Sequence, residues 1–158
     1  MNFGQKAHTL AEATKKLEYY CAYQERCHKE VVKKLREMRM IPQVIDQIVA
    51  HLIQENYLNE ERFARAFARG KFRIKKWGRI RIVSELKQRA ISKYNIKAAL
   101  SEIDEDDYLM AFNQLAEKRI EEIKEKHPQK RKKKLVDYLI YRGWESSLVY
   151  EKAKELVS

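Results

Sequence analysis

The chain repeats itself, and this restricts its fold more than any other feature. Sliding the 158-residue sequence by 51 positions places Val32 on Val83, Leu35 on Leu86, Met40 on Ile91, Ile45 on Ile96 and Leu52 on Ile103. A further shift of 53 places Ile82 on Leu135, Leu86 on Leu139, Ile91 on Trp144, Ile96 on Val149 and Ile103 on Leu156. Apolar positions recurring at so long a period mark supersecondary units, each too small to bury its apolar face alone. Within a unit the spacing is helical. Val31, Leu35 and Met38 stand at i, i+4 and i+7, and Val44, Ile45, Ile48, Val49, Leu52 and Ile53 form a broader stripe. Gly and Pro together number only six, too few for the turns of a sandwich or barrel.

At each copy one helix ends, an apolar residue follows, and a second helix begins. Ser92 is placed to cap its helix, with Ile91 before it and Ile96 at the fourth helical position, the spacing of a hydrophobic staple. Met40 with Ile45 and Trp144 with Val149 are spaced alike, and Pro42 falls where a helix's first N–H needs no partner. A preceding helix repeats as well: Phe63, Ala66 and Phe67 stand 45 residues before Tyr108, Ala111 and Phe112, each group after an acidic, polar cap. The expected fold is all-α, three tandem three-helix repeats in an elongated, curved molecule. The boundaries are an N-terminal extension over 1–19, helical or frayed, then repeats over 20–58, 59–103 and 104–158. The spacing puts an eight-residue insertion near 123–130 of the third repeat.

Charge is distributed unevenly over this frame. Residues 1–60 carry 9 Lys/Arg and 8 Asp/Glu, residues 61–100 carry 13 and 2, and residues 101–158 carry 12 and 13. The net charge of +11 therefore belongs to forty residues in the middle. A solvated helical surface normally mixes both signs, whereas concentrated basic charge is the footprint of a polyanion site, with nucleic acid the commonest. An acidic protein partner fits the same charge. Within the zone, Lys71, Arg73, Lys75, Lys76, Arg79 and Arg81 surround a helix start near Gly78, where free N–H groups would also favour phosphate. Arg62, Arg65 and Arg69 form a stripe opposite Phe63 and Phe67. A second basic run contains Lys130, Arg131, Lys132 and Lys133. Trp77 is read as a junction anchor or a stacking surface, and Tyr141 and Trp144 as core.

Enzyme classes find little support. The four glycines cannot make a Rossmann or P-loop cradle, and His8, His28, His51 and His127 suggest no nucleophile–base pair. Acids at Glu102 and Asp104 to Asp107 read as a helix cap rather than a metal site. Cys21 and Cys27, without a CxxC, read as two reduced thiols. No cofactor or metal is expected. No apolar run long enough for a signal peptide or membrane span occurs, so a cytoplasmic location is expected.

From about Tyr20 onward stand, in order, Glu30-Val31 and Lys34-Leu35, then Tyr57-Leu58-Asn59-Glu60-Glu61-Arg62-Phe63-Ala64, then Gly78-Arg79-Ile80-Arg81-Ile82 with Glu85-Leu86 and Ile91, and last Tyr141-Arg142-Gly143-Trp144. In these motifs the sequence resembles the RecX family of regulatory proteins, modulators of the RecA recombinase. The order and spacing of these motifs carry it. Departures are Cys27 where the family usually caps with Ser, Arg79 where Pro usually follows the central Gly, and Ala90 where Gly is frequent. The resemblance implies a monomeric, non-enzymatic regulator of DNA repair and recombination that lodges in the groove of the RecA–DNA filament. There it would inhibit filament growth, ATP hydrolysis and strand exchange, with weak sequence-independent contacts to single- and double-stranded DNA. A nucleic-acid-binding module acting without RecA is the alternative that charge alone supports.

Overall fold

Helix starts and stops in the computed structural model, which describes residues 8–158, follow from the caps and staples of the sequence. Among these residues there are nine helices: α1 (Leu10–Tyr23), α2 (His28–Glu37), α3 (Pro42–Gln54), α4 (Glu60–Arg73), α5 (Arg79–Gln88), α6 (Lys93–Leu100), α7 (Glu105–Glu122), α8 (Pro128–Tyr141) and α9 (Ser146–Leu156). No strand occurs among the described residues. The Thr9 and Ser92 hydroxyls accept from the N–H groups of Glu12 and Asn95. The Asp104 carboxylate accepts from the Asp107 N–H, so the acidic cluster starts α7, while Pro42 opens α3. Cys27 stands at the N-cap of α2, and its N–H donates to the Glu30 carboxylate at 3.2 Å.

The three junctions share one backbone device. After α2, α5 and α8 a single residue takes positive φ: Arg39 at 62°, Ala90 at 59° and Gly143 at 92°. The next amide then reaches back five residues, Met40 to the Leu35 carbonyl at 3.1 Å, Ile91 to Leu86 at 3.1 Å and Trp144 to Leu139 at 3.2 Å. This left-handed cap satisfies helix-end carbonyls and aims the chain into the following helix. The Leu at each of these points is fully buried, as the repeat register requires.

The chain divides into two compact units, one through Phe63 and one from Ala64 onward. In the first, α1 and α2 pack on α3 around Leu17, Val31, Leu35, Ile48 and Leu52. Cys21 lies in this core, and burial pushes its thiol pKa up to about 11. The extension expected over 1–19 is helical from Leu10, and α1 continues across residue 20 into this core; residues 1–7 lie outside the described residues. In the second unit the centre is aromatic, with Trp144 4.6 Å from Tyr108 and 5.2 Å from Phe112, centroid to centroid, and Phe72 5.9 Å from Tyr108. Helix α7 has 18 residues against 14 in α4, and α8 has 14 against 10 in α5.

Tyr141 is not core: it is 75% exposed. It lies two residues beyond the buried Leu139, about 200° around the helix, and so faces away from the packed side of α8.

Candidate nucleic-acid interface

Most of the basic zone's arginines are bound by acids distant in sequence. Arg62 holds Glu25 with its Nε 2.7 Å from the carboxylate, and donates further to the Asn56 and Tyr57 carbonyls. Arg65 and Arg69 converge on Glu102 at 3.2 and 3.3 Å. The hydrogen bond from Arg65, together with Arg69, holds the Glu102 carboxyl below its usual range. Arg79 is paired with Glu105 and, at 3.4 Å, with Glu145, while its guanidinium lies 3.8 Å over the Tyr108 ring. The Arg79 amide donates to the Tyr108 hydroxyl at 2.9 Å, and that hydroxyl donates to Glu145. Burial, reinforced by Glu145, pushes the Tyr108 pKa up and keeps the phenol protonated as the donor this chain of bonds requires. These four arginines brace the fold.

The helix start at Gly78 does not offer free amides, contrary to expectation. The Gly78 N–H donates to the Arg142 carbonyl at 2.8 Å and the Ile80 N–H to the Gly143 carbonyl at 3.0 Å. With the Arg79 N–H on Tyr108, the opening amides of α5 are satisfied by the C-terminal carbonyls of α8 and by α7. Such close approach demands glycine on both sides. A Cβ on Gly78 would lie 2.6 Å from the Trp144 nitrogen, and one on Gly143 would lie 2.8 Å from the Arg81 Cα.

That junction shapes the bend between α4 and α5. Arg142 donates to the Lys75 carbonyl at 2.7 Å, and the Trp144 indole N–H donates to the Lys76 carbonyl at 3.2 Å. Lys76 takes φ 59°, and the Trp77 N–H returns to the Lys71 carbonyl at 3.1 Å. Arg73, Lys75 and Lys76 are exposed and, among the described residues, face no acidic partner. Lys71 sits 5.0 Å over the Trp77 ring. Arg81 lies 4.2 Å over the Trp77 ring and 4.8 Å from the Tyr141 centroid. Trp77 is half-buried and edge-on to Phe67, 6.3 Å away, so it anchors the bend while its ring carries two cations.

The second basic run is more neutralised. Lys133 pairs with Asp137 at 2.6 Å, and Arg131 donates to the Ile120 carbonyl at 2.7 Å. Lys130 is exposed and Lys132 half-buried, neither with an acidic partner among the described residues. Two residues of the basic surface lie outside the candidates chosen from sequence, Arg142 and Tyr141. Both belong to the Tyr-Arg-Gly-aromatic motif, whose spacing alone does not show that the first two side chains turn outward. Among the described residues no group of three His, Cys, Asp or Glu could hold a metal ion, and no helix is long and apolar enough to cross a membrane.

Helix triplets joined by repeated left-handed caps, with a cationic bend held between the last two, define an all-α repeat protein. Its relatives carry the name of a regulator. Family models described as "RecX, second three-helix domain" and "RecX, third three-helix domain" match residues 59–100 and 105–152. The chain is 37% identical over 103 residues to "Regulatory protein RecX" of Yersinia enterocolitica, covering 65% of this chain and 60% of that protein. It is 36% identical over 110 residues to the Serratia proteamaculans protein of the same name, covering 70% and 64%. A match to the Lactobacillus johnsonii protein, at 31% identity, spans 40% of that longer chain. The chain thus spans less than two thirds of the length of each of these relatives. A solved structure titled "Crystal structure of regulatory protein RecX" superposes with a TM-score of 0.81 at 25% identity, over 92% of this chain and 73% of that one. RecX from Lactobacillus salivarius, at 20% identity, shares the fold with a TM-score of 0.76 over 94% and 96%. The chain belongs to the RecX family.

Proposed function

We propose that this protein regulates the RecA recombinase without chemistry of its own, binding the RecA–DNA filament and inhibiting its growth, ATP hydrolysis and strand exchange. One observation carries the reading: Arg73, Lys75 and Lys76 project, without acidic partners among the described residues, from a bend tied by backbone and side-chain hydrogen bonds. The backbone that carries these unneutralised cations is already fixed, so only side-chain freedom is lost on meeting phosphate or acidic protein, both of which a nucleoprotein filament would present. Lys71, Arg81 and the run Lys130 to Lys133 extend the proposed surface, while Arg65, Arg69 and Arg79 are engaged in ion pairs within the same unit.

The test is the triple reversal Arg73→Glu, Lys75→Glu and Lys76→Glu, which leaves the Arg79 and Arg81 contacts intact. The variant should keep its helical circular dichroism while the concentration for half-inhibition of DNA-dependent RecA ATP hydrolysis rises at least about tenfold, since like charge would face the filament. Reversal of the exposed Lys33 and Arg36 is the control and should change little. A folded triple variant that inhibits like the parent refutes the assignment. A parent chain that binds DNA yet leaves RecA unaffected supports instead a nucleic-acid-binding module acting alone.

A further inference from the structure

Beside the basic bend, rings and guanidinium groups alternate. Arg81 lies between Trp77, at 4.2 Å, and Tyr141, at 4.8 Å from its centroid. The neighbouring ring of Tyr138 is covered by Arg119 at 4.3 Å and by Arg142 at 4.7 Å. Tyr138 and Tyr141 both line a groove between the end of α7 and α8, about 620 Å³ in volume, with Ile123, Lys124 and Lys134. Tyr141 therefore meets Arg81 on one side and open space on the other. A tyrosine 75% exposed gains nothing for the core, and its ring presents an apolar face held flat by a cation.

We propose that this groove takes an unpaired base of single-stranded nucleic acid, stacked on the open face of Tyr141, with its backbone phosphates on Lys124, Arg142 and the bend at Lys75 and Lys76. The occupant follows from the chemistry of the walls. A flat, apolar ring suits a planar partner, and its cationic surroundings suit one that carries negative charge along its length. Bases in a duplex are stacked on each other and cannot enter. The two acids on the wall do not oppose this: Glu122 is paired with Arg119 at 3.4 Å and Asp137 with Lys133 at 2.6 Å. An acidic peptide would use the same cations, but it has no need of the open ring.

This inference rests on the proposed reading of the basic bend as a nucleic-acid contact and adds a preference for single strands. Fluorescence anisotropy would follow binding of a labelled oligo(dT) 15-mer and a 15-base-pair duplex at low salt. Tyr141→Ala should weaken oligo(dT) binding about tenfold, within the range for loss of one base–aromatic stack, and leave duplex binding unchanged. Tyr141→Phe should keep parental affinity. Tyr141→Trp should bind oligo(dT) and lose fluorescence on doing so, which a merely structural role of the ring would not produce. Equal losses on both substrates, unchanged oligo(dT) binding by the Ala variant, or no binding of oligo(dT) by the parent chain would each overturn the stack. Inhibition of RecA is scored separately. A chain that inhibits but does not stack keeps the regulatory reading, and one that stacks but does not inhibit keeps this one.

Discussion

Gly143→Ala should be more damaging than the same change at Gly70 or Gly78. Two effects add at Gly143. Its φ of 92° lies where an L side chain is strained, at a cost of about 1–3 kcal/mol. The new Cβ would also stand 2.8 Å from the Arg81 Cα and closer still to its Cβ and amide nitrogen. These are backbone and near-backbone atoms that cannot rotate away, so overpacking adds about 1–3 kcal/mol. Relief requires α5 and α8 to separate, which would stretch the 2.8 Å bond from the Gly78 N–H to Arg142 and the 3.0 Å bond from the Ile80 N–H to Gly143. The total is about 2–6 kcal/mol, and a unit of this size loses roughly 4–8 °C of Tm per kcal/mol. Thermal unfolding followed by circular dichroism at 222 nm should therefore shift down by at least about 8 °C. The matched variant is Ala90→Gly, at the equivalent cap after α5. With φ 59° and no such crowding, it should raise stability by about 0.5–1 kcal/mol, strain relief less the added freedom of the unfolded chain. A Gly143→Ala protein melting within about 3 °C of the parent would refute the close approach of the two helices. A destabilised Ala90→Gly would refute the cap.

Leu86→Ala, at a fully buried position equivalent to Leu35 and Leu139, should cost about 2–5 kcal/mol in urea unfolding, and an unchanged midpoint would undo the repeat register. Binding of the parent chain to bare DNA should be weak and strongly salt-dependent. With about 4–6 phosphates engaged by the bend and its neighbours, log affinity should fall against log salt with a slope of roughly −3 to −5, and a flat response would assign the cations another purpose.

Local rules read the architecture well because the information is local. Each staple, Met40 with Ile45, Ile91 with Ile96 and Trp144 with Val149, lies within six residues of chain, and a helix is specified over about that distance. The left-handed caps were not legible in the same way. Only Gly143 announces one; Arg39 and Ala90 adopt the same conformation because the amide bond five residues back and the buried Leu impose it. The charge map was legible in its sum and misleading in its parts. A ratio of 13 to 2 over residues 61–100 counts acids nearby in sequence, whereas four of the seven arginines there are paired with Glu25, Glu102, Glu105 and Glu145. Lysines escape this. The planar guanidinium makes several directed bonds at once and is drawn into braces, while the more strongly hydrated ammonium of Lys75 or Lys76 stays in solvent.

The departure of Arg79 from the family's usual proline acquires a physical meaning through these braces. A proline after Gly78 would fix φ and bring no N–H, which suits a helix start whose amides need no partner. Here the Arg79 N–H is used, by the Tyr108 hydroxyl at 2.9 Å, and its side chain spans Glu105 and Glu145. The residue thus ties the start of α5 to the first turn of α7 and to the N-cap of α9. Burial opposes its charge and the Glu105 carboxylate outweighs that opposition, so the guanidinium stays ionised and the brace holds at every pH at which the carboxylates are charged. The bend's outward lysines are carried by a frame whose own charges are spent internally, and this separates the cations that brace from the cations free to meet a polyanion.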